Sequence, residues 1–583
     1  MRLSITNNKN SSSFYVIKSV TVDGKRTSKV IERLGNYEEV KIKANGEDPI
    51  VWAKKYIDTL NKQEKENNNI LNIPFYKNKI LEKNTKYTFN AGYLFLQDIY
   101  YSLGLNNICN DITNKHQFKF DLNSVLSRLI YSRIIFPSSK LKTLELSNNF
   151  IEQANFDYNH ILRSLEVISK ETDFIQAELY KNSKKYSKRN DKILYYDCTN
   201  YYFEIEQEDG IKQYGVSKEN RPNPIVQMGL FLDGDGIPLA FNINPGNTNE
   251  QITLQPLEKQ IINDLNNASF VVCTDAGLAS NANRKFNDKE NRKFITTQSI
   301  KKLKDYLKEW MFDKTGWHIP SITNPIDLSN LDNDEELQEK FKDTIFYKER
   351  WINENGLEQK IIVTYSLKYK NYQKNIRNSQ IERAQKLINS NPKSINKPRQ
   401  NDFKRFIEKT NTTKDGIVAE ETYYNLNQEA INNESKYDGY YAVCTNLEDT
   451  AEEIIKINKN RWEIEESFRI MKSEFKARPV YLSRDDRIKA HFTTCFLALT
   501  IFRYLEKKIK SKYTVTEIIE ALRNYNLREL KGFGYIPDYE LTDIVEDLQN
   551  IFNINTSTEI NDYKKMQKIC KQTKQEKNYA FFR

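Results

Sequence analysis

Short runs of alternating apolar and polar residues open the chain. Residues 13–35, SFYVIKSVTVDGKRTSKVIERLG, alternate on both sides of Asp23-Gly24, and an Asp-Gly pair between two such runs is typical of a β-hairpin. From about Asn90 to Lys188 the apolar residues recur at helical spacing, as in YLFLQDIYYSLG and LNSVLSRLIYSRIIF. Pro137-Ser138-Ser139 breaks that pattern and offers a helix N-cap. The pattern predicts a β-rich N-terminal piece followed by a helical domain.

Apolar runs with strand character follow the helical domain. The predicted strands are Ile193–Cys198, Ile225–Leu232, Ile237–Ile243, Phe270–Cys273 and Phe294–Gln298. A helix is expected from about Glu250 to Leu265, between the third and fourth strands. Asp233-Gly234-Asp235-Gly236 is interpreted as the turn between the second and third strands. Alternating strands and helices of this kind indicate an α/β core.

A charged, Asn-rich stretch over residues 300–438 interrupts this core. Within it, Ser366–Phe406 has eleven Lys and Arg against two acidic residues, a net +9 in a chain whose whole net charge is +10. The segment is either a solvated helix and loop or a surface that contacts DNA phosphates. A last strand, Tyr440–Cys444, precedes a long helix predicted over Thr450–Phe475 and an apolar helix near residues 490–506.

These patterns divide the chain into six regions. The predicted boundaries are 1–80 for the β-rich N-terminal piece, 81–190 for the helical domain, a candidate DNA-binding domain, 191–299 for the first part of the core, 300–438 for the insertion, 439–510 for the second part of the core with its long helix, and 511–583 for a helical C-terminal region.

The composition limits the classes of protein and of metal site that the chain can belong to or contain. The mean hydropathy is −0.73 and no apolar stretch approaches the roughly 20 residues that span a bilayer, which argues against a membrane protein. The polar N-terminus lacks the apolar segment of a signal peptide, so we expect a cytoplasmic protein. Six scattered cysteines without a C-x-x-C pair and four histidines argue against zinc fingers and haem. Any metal would therefore have oxygen ligands, which suit Mg²⁺ or Mn²⁺.

Three acidic residues occupy positions that a packed core does not favour. Asp197 ends the run ILYYD, Asp275 follows FVVCT, and Glu465 lies on the helix after the last strand. A carboxylate at the end of a buried strand must be paired, solvated or bound to a metal. For each residue alone, a solvated strand end or an N-cap is the simpler interpretation.

The helix around Glu465 carries two stripes. Ile464, Phe468, Met471 and Phe475 recur at i, i+4, i+7 and i+11 and form the predicted buried stripe. Arg461, Glu465 and Lys472 recur at i, i+4 and i+11 along its edge. One acidic and two basic side chains are therefore expected at the rim of the core.

The spacing Arg461-x3-Glu465-x6-Lys472 resembles the Y-x2-R-x3-E-x6-K signature of DDE transposases in the insertion-sequence-4 group, with Asn458 at the tyrosine position. The segments YYDCTNYYFE, GVSKENRPNPIVQMGLFLDGDGIPLAFNINPGNTNEQITL, VVCTDAGLAS and RPVYLSRDDRIKAHFTTCFLAL resemble the insertion-sequence-1634 family within that group. The resemblance extends from the N-terminal hairpin to about residue 506.

This resemblance implies a ribonuclease-H-like catalytic core, a mixed five-stranded sheet with helices, interrupted by an insertion. Asp197, Asp275 and Glu465 would be the catalytic residues and would bind two Mg²⁺ ions, with Mn²⁺ as a substitute. Arg461 and Lys472 would hold DNA phosphates, and His491, which matches a histidine of the family pattern, is either a core or capping residue or a DNA contact.

The implied activity is cleavage of DNA at terminal inverted repeats and joining of the freed ends to target DNA by a homodimer. Two alternatives stay open. One is a DNA-binding protein that no longer cleaves, which Asn458 favours. The other is a metal-dependent nuclease of the same fold.

Overall fold

The computed structural model describes residues 1–7, 11–22, 25–68, 70–320, 322–390, 402–412 and 418–577. The chain forms two compact units, Met1–Thr85 and Lys86–Arg583.

The first unit is a three-stranded antiparallel sheet followed by two helices. Its elements are β1 (Arg2–Asn7), β2 (Ser12–Val22), β3 (Lys25–Asn36), α1 (Tyr37–Ala44) and α2 (Pro49–Asn68). Pairing of β2 with β3 as far as Val22 and Lys25 confirms the predicted hairpin, whose Asp23-Gly24 turn lies outside the described residues. Phe14, Val16 and Leu34 of the sheet are buried together with residues of both helices.

The second unit contains the remaining elements. Its strands are β4 (Thr88–Asn90), β5 (Ile193–Tyr202), β6 (Ile225–Asp233), β7 (Pro238–Pro245), β8 (Phe270–Thr274), β9 (Arg292–Gln298), β10 (Trp317–Ile319), β11 (Ile322–Ile326), β12 (Phe346–Glu354), β13 (Leu357–Tyr365), β14 (Ile407–Thr412), β15 (Val418–Leu426), β16 (Tyr440–Thr445), β17 (Asn526–Leu530) and β18 (Gly534–Pro537).

Its helices are α3 (Tyr93–Ser102), α4 (Leu105–His116), α5 (Leu122–Ile135), α6 (Lys140–Ser147), α7 (Tyr158–Lys170), α8 (Thr172–Tyr186), α9 (Glu250–Asp264), α10 (Asn281–Phe286), α11 (Asp305–Phe312), α12 (Glu335–Lys340), α13 (Leu367–Ser390), α14 (Gln428–Ser435), α15 (Ala451–Lys459), α16 (Trp462–Arg469), α17 (Asp485–Lys508), α18 (Val515–Asn524), α19 (Asp543–Phe552) and α20 (Tyr563–Gln572). Short 3₁₀ turns cover Ile300–Lys302 and Phe403–Phe406, and a π-helical turn covers Ile470–Glu474.

A ten-stranded mixed sheet forms the centre of the second unit, in the order β11-β10-β12-β13-β16-β9-β8-β5-β6-β7. Strands β5, β6 and β7 pair antiparallel, whereas β8 and β9 run parallel to β5. The five predicted strands are therefore present and adjacent, but the expectation of a five-stranded sheet is wrong in its extent.

The other five strands extend the sheet beyond β9. Strand β16 pairs with β9 and then with β13, and β10, β11 and β12 continue from there. Much of β12 faces solvent, with the sequence FYKERWINE. Strand β16 confirms the last predicted strand, Tyr440–Cys444. The other four strands lie in the charged stretch over 300–438, where the solvated residues of β12 weaken the apolar signal.

Helices α3 to α8 confirm the helical pattern predicted from about Asn90 to Lys188, and Ser139 caps α6 as expected, its Oγ accepting a hydrogen bond from the Lys142 backbone N–H at 3.2 Å. The apolar helix predicted near 490–506 is α17, which is buried along most of its length. It packs against α3, α5, α7 and β7 and so joins the helical layer to the sheet. No helix in the described part of the chain is long and apolar enough to cross a membrane.

Two helix predictions need correction. The single helix expected over Thr450–Phe475 is wrong, because α15 ends at Lys459 and a tighter turn separates it from α16. In that turn the Arg461 N–H donates to the Asn458 carbonyl at 3.2 Å, a bond across three residues, and Asn460 is a weak helix former. The C-terminal region is not purely helical, since β17 and β18 form a sheet with β4.

Candidate active site

Asp197 and Asp275 lie level with each other on neighbouring strands. The parallel register of β5 and β8 pairs Ile193 with Val271 and Tyr195 with Cys273. Two residues further on, the same register sets Asp197, within β5, opposite Asp275, which follows β8 directly. The predicted pair therefore meets where β8 ends.

The two carboxylates repel each other in a largely buried place. Burial, and to a lesser degree the charge of Asp275, raises the pKa of Asp197 to about 6 against the opposing charges of Lys218 and Arg461. Asp275 accepts a hydrogen bond from the Leu278 N–H at 3.0 Å. A Cβ added to Gly277 would lie 3.3 Å from that same carboxylate, so glycine keeps the approach to Asp275 open.

An ion pair with Arg461 connects Glu465 to the two aspartates. The Glu465 side chain is 60% exposed and accepts the Arg461 guanidinium at 3.2 Å, across one helical turn. Arg461 also interacts with the charge of Asp197. As the side chains stand, no three His, Cys, Asp or Glu residues in the described ranges form a group that could hold a metal ion. The structure thus pairs the two aspartates directly and links Glu465 to them by a cation.

Lys472 is a second basic residue that interacts with the charge of Asp197. Burial and the nearby charge of Lys218 lower the pKa of Lys472 to about 8, while Asp197 opposes that shift. The Lys472 ammonium donates to Glu219 at 3.2 Å. The predicted buried stripe is confirmed, because Ile464, Phe468, Met471 and Phe475 are all at most 6% exposed.

Asn458, at the position of the signature tyrosine, is buried beneath Arg461. Its Nδ2 donates to the Tyr441 hydroxyl at 3.1 Å, and its Oδ1 accepts from the Cys273 thiol at 3.7 Å. Tyr441 also hydrogen-bonds Thr297 at 2.6 Å and interacts with the charge of Arg461. A phenol hydroxyl therefore stands next to Arg461, but it comes from β16.

Lys218, Glu219 and Glu250 belong to this place although the sequence did not single out the first two. Lys218 donates to the Cys198 carbonyl and forms an ion pair with Glu250 at 3.2 Å. Glu250 begins α9, as expected for a helix N-terminus. Glu219 accepts both Lys472 and Arg478. A Lys-Glu pair in the loop between two apolar strands was the available signal.

Cys198 and Cys273 flank the aspartates but face the core. Both are buried, and burial raises the pKa of each thiol to about 12. A thiol held neutral in this way is a poor metal ligand and nucleophile. Both cysteines are small core residues.

The donor set at this edge of the sheet suits a hard divalent cation. Asp197 and Asp275 offer carboxylate oxygens side by side, and their mutual repulsion would be relieved by a positive ion. Zinc prefers thiolate or imidazole ligands, and the two thiols beside these aspartates are buried and neutral. Glu465 could complete the set once its carboxylate is released from Arg461.

The family model described as Transposase DDE domain matches residues 189–501. The chain belongs to this family. The matched residues include β5, β8 and α16, the elements at which Asp197, Asp275 and Glu465 of this DDE transposase lie. Comparison with curated proteins finds no match for the chain.

Solved structures with detectable likeness to the fold of this chain include two transposase complexes. One is the piggyBac transposase synaptic complex with hairpin DNA, at 8% identity and a TM-score of 0.34, covering 74% of this chain and 78% of that one. The other is the Mos1 transposase paired-end complex with the left transposon end, at 10% identity and a TM-score of 0.13, covering 42% and 68%. Both likenesses are too low to carry an argument about the site.

Proposed function

We propose that this chain is a DNA transposase of the insertion-sequence-4 group, insertion-sequence-1634 family, which cleaves the ends of an insertion sequence and joins them to target DNA. The observation that carries the proposal is the level placement of Asp197 and Asp275 on adjacent parallel strands, with the Arg461–Glu465 pair beside them. The order β7-β6-β5-β8-β9 supports a ribonuclease-H-like core extended by the insertion.

Asp197, Asp275 and Glu465 would hold two Mg²⁺ ions, for which Mn²⁺ can substitute. When bound, these ions would activate the attacking hydroxyl and stabilise the leaving oxygen of the phosphodiester. Arg461 would exchange Glu465 for a DNA phosphate, which its guanidinium can bind through two hydrogen bonds. Lys472 would contact a phosphate as a point charge.

The substrate in this proposal is double-stranded DNA with terminal inverted repeats, and a second DNA serves as target in the cytoplasm. A homodimer on DNA would bring two ends together. The net charge of +10 supports a polyanionic partner. Part of the basic segment is already neutralised, because Lys370 pairs with Asp332 at 2.5 Å and Arg377 with Asp438 at 2.5 Å.

Glu465→Gln tests the catalytic role of the third acid. We expect DNA cleavage to fall by at least about a thousandfold, since a metal ligand is removed, with duplex binding nearly unchanged. Glu466→Gln is the matched control, because the neighbouring Glu466 pairs with Arg469 away from Asp197 and the substitution changes the net charge equally. A Glu465→Gln protein with full cleavage activity would overturn the assignment.

A catalytically inactive DNA-binding protein is the second candidate, and Asn458 is the observation that favours it. In that case duplex DNA would be bound tightly and never cut with Mg²⁺ or Mn²⁺. If Asn458 is what inactivates the protein, Asn458→Tyr, which adds the signature side chain, should restore metal-dependent cutting. A nuclease of the same fold would instead cut without joining ends to target DNA.

A further inference from the structure

A small cavity of about 160 Å³ lies between the turn from α5 to α6, the segment after the π-helical turn, and α17. This volume equals about five water molecules, which suits one phosphate group. Five basic side chains line the cavity: Arg133, Lys140, Lys476, Arg478 and His491. Within the described ranges, no Asp or Glu lines it. We call it the basic cavity.

Three of the five basic side chains are buried. Arg133, Lys140 and His491 are 5%, 6% and 5% exposed. Arg133 donates to the Phe475 carbonyl at 3.1 Å, yet its Nε has no hydrogen-bond partner among the described residues. A buried cation without a counterion costs free energy. Among the described residues, no carboxylate forms an ion pair with Arg133 or Lys140, whereas the cavity residue Arg478 pairs with Glu219.

Lys140 makes one weak contact in the cavity. Its ammonium donates to His491 Nδ1 at 3.4 Å, and His491 Nε2 in turn donates to the Ala477 carbonyl at 3.2 Å. This arrangement requires a neutral imidazole. Burial, together with the charge of Arg133, lowers the pKa of Lys140 to about 7. Burial, with Lys140 and Arg133, also keeps the pKa of His491 well below its usual value.

The N-terminus of α6 adds to the positive potential. Ser138, Ser139 and Lys140, which line the cavity, are the residues at which this eight-residue helix begins. The first backbone N–H groups of a helix have no intrahelical partner and favour an anion. The helix end thus reinforces the buried Arg133 and Lys140.

The basic cavity adjoins the candidate active site. Arg478, at the cavity, and Lys472, at the active site, contact the same carboxylate oxygen of Glu219. One acidic side chain therefore spans the distance between the two places. A DNA strand whose phosphate lies at Asp197 and Lys472 could present a neighbouring phosphate to the basic cavity.

We propose that the basic cavity binds a phosphate group of the DNA backbone and so fixes the strand relative to the active site. The proposal rests on the proposed function for its DNA substrate, but it requires no cleavage. The ligand chemistry is a phosphate oxyanion held by Arg133, Lys140 and the start of α6. Inorganic phosphate shares that chemistry and is the alternative source.

The test measures binding of a short duplex by fluorescence anisotropy over a range of salt concentrations, with full-length wild type, Lys140→Met and Lys142→Met. Lys140→Met keeps the side-chain volume and removes the charge inside the cavity. Lys142→Met removes an equal charge from the same helix at an exposed position that pairs with Glu145. Lys476→Gln, at an exposed cavity residue, is the second variant should Lys140→Met not fold.

We expect Lys140→Met to weaken binding about tenfold at low salt and to reduce the slope of log K against log salt by about 0.9, the loss of one phosphate contact. Lys142→Met should match wild type. Equal slopes for wild type, Lys140→Met and Lys476→Gln would overturn the proposal, as would an equal loss in Lys142→Met.

A second arm separates the two phosphate sources. Inorganic phosphate that raises the melting temperature of wild type and not of Lys140→Met, with no change in DNA slope, would overturn the DNA assignment in favour of free phosphate. The slope difference is independent of cutting. A chain that shows it without metal-dependent cleavage would contradict the proposed function and leave the basic cavity as a DNA contact.

Discussion

Asp197→Asn is expected to stabilise the protein while abolishing cleavage. Asp197 must keep a charge in a largely buried place beside Asp275, and its pKa rises from 3.8 to about 6. At 1.36 kcal/mol per pKa unit, this shift corresponds to about 3 kcal/mol of lost stability once the folded carboxylate is ionised. Solvent screening at a partly exposed carboxylate reduces the figure, so we expect a gain of about 1–2 kcal/mol in the variant.

The sign of the pH dependence follows from the direction of the shift. A raised acid pKa means that the folded state binds the proton more tightly than the unfolded state. The penalty is absent below the unfolded value, grows as pH rises from 3.8 towards about 6, and is complete above that. The advantage of Asp197→Asn should therefore appear across this window and stay constant up to pH 8.

Urea unfolding in EDTA at several pH values measures this advantage. Asp305→Asn is the control, because Asp305 is 91% exposed and lies on α11, outside the candidate site. Added Mg²⁺ should stabilise wild type and not Asp197→Asn, since it would neutralise the repulsion of the two aspartates. A variant that is no more stable at pH 8 than at pH 4.5, relative to wild type, would refute the reasoning.

Two further predictions concern other parts of the second unit. The combined change of Lys374, Arg383 and Lys386 to Gln should weaken duplex binding and flatten its salt dependence. These α13 side chains are exposed, and no ion pair joins them to another described residue. Unchanged anisotropy titrations at moderate salt would show that this helix is merely solvated. Arg189 contacts Asp233 at 2.7 Å, and both side chains are at most 2% exposed. Arg189→Met leaves Asp233 as an unpaired buried charge and should lower the free energy of unfolding in urea by about 3–5 kcal/mol. Lys512→Met, at an exposed pair with Asp547, should change it little, and equal effects of the two variants would contradict the prediction.

The core strands, the extent of α9 and the N-cap of α6 were predictable from sequence because their signals are local. Apolar runs marked β5 and β8, and an acidic residue at the end of each run marked Asp197 and Asp275. The register that sets these residues level is a tertiary property. Residue spacing within either strand holds no information about it.

The missed features depend on contacts between distant segments. Lys218 and Glu219 are loop residues whose partners, Glu250 and Lys472, come from helices elsewhere in the chain. The basic cavity is lined by residues of α5, α6, the segment after the π-helical turn and α17, so no local sequence pattern predicts it. Strand β12 was concealed for a different reason, because polar residues occupy most of its solvated positions.

In the proposed function, Asp197, Asp275 and Glu465 cut DNA at the ends of an insertion sequence. The most direct measurement incubates the purified protein with a linear fragment carrying the gene's own flanking DNA, with Mg²⁺, Mn²⁺ or EDTA, and maps new 3′-hydroxyl ends at nucleotide resolution. We predict metal-dependent cuts at two inverted sequences by wild type and none by Asp275→Asn. Tight binding without any cut, or equal cutting by Asp275→Asn, would contradict the claim.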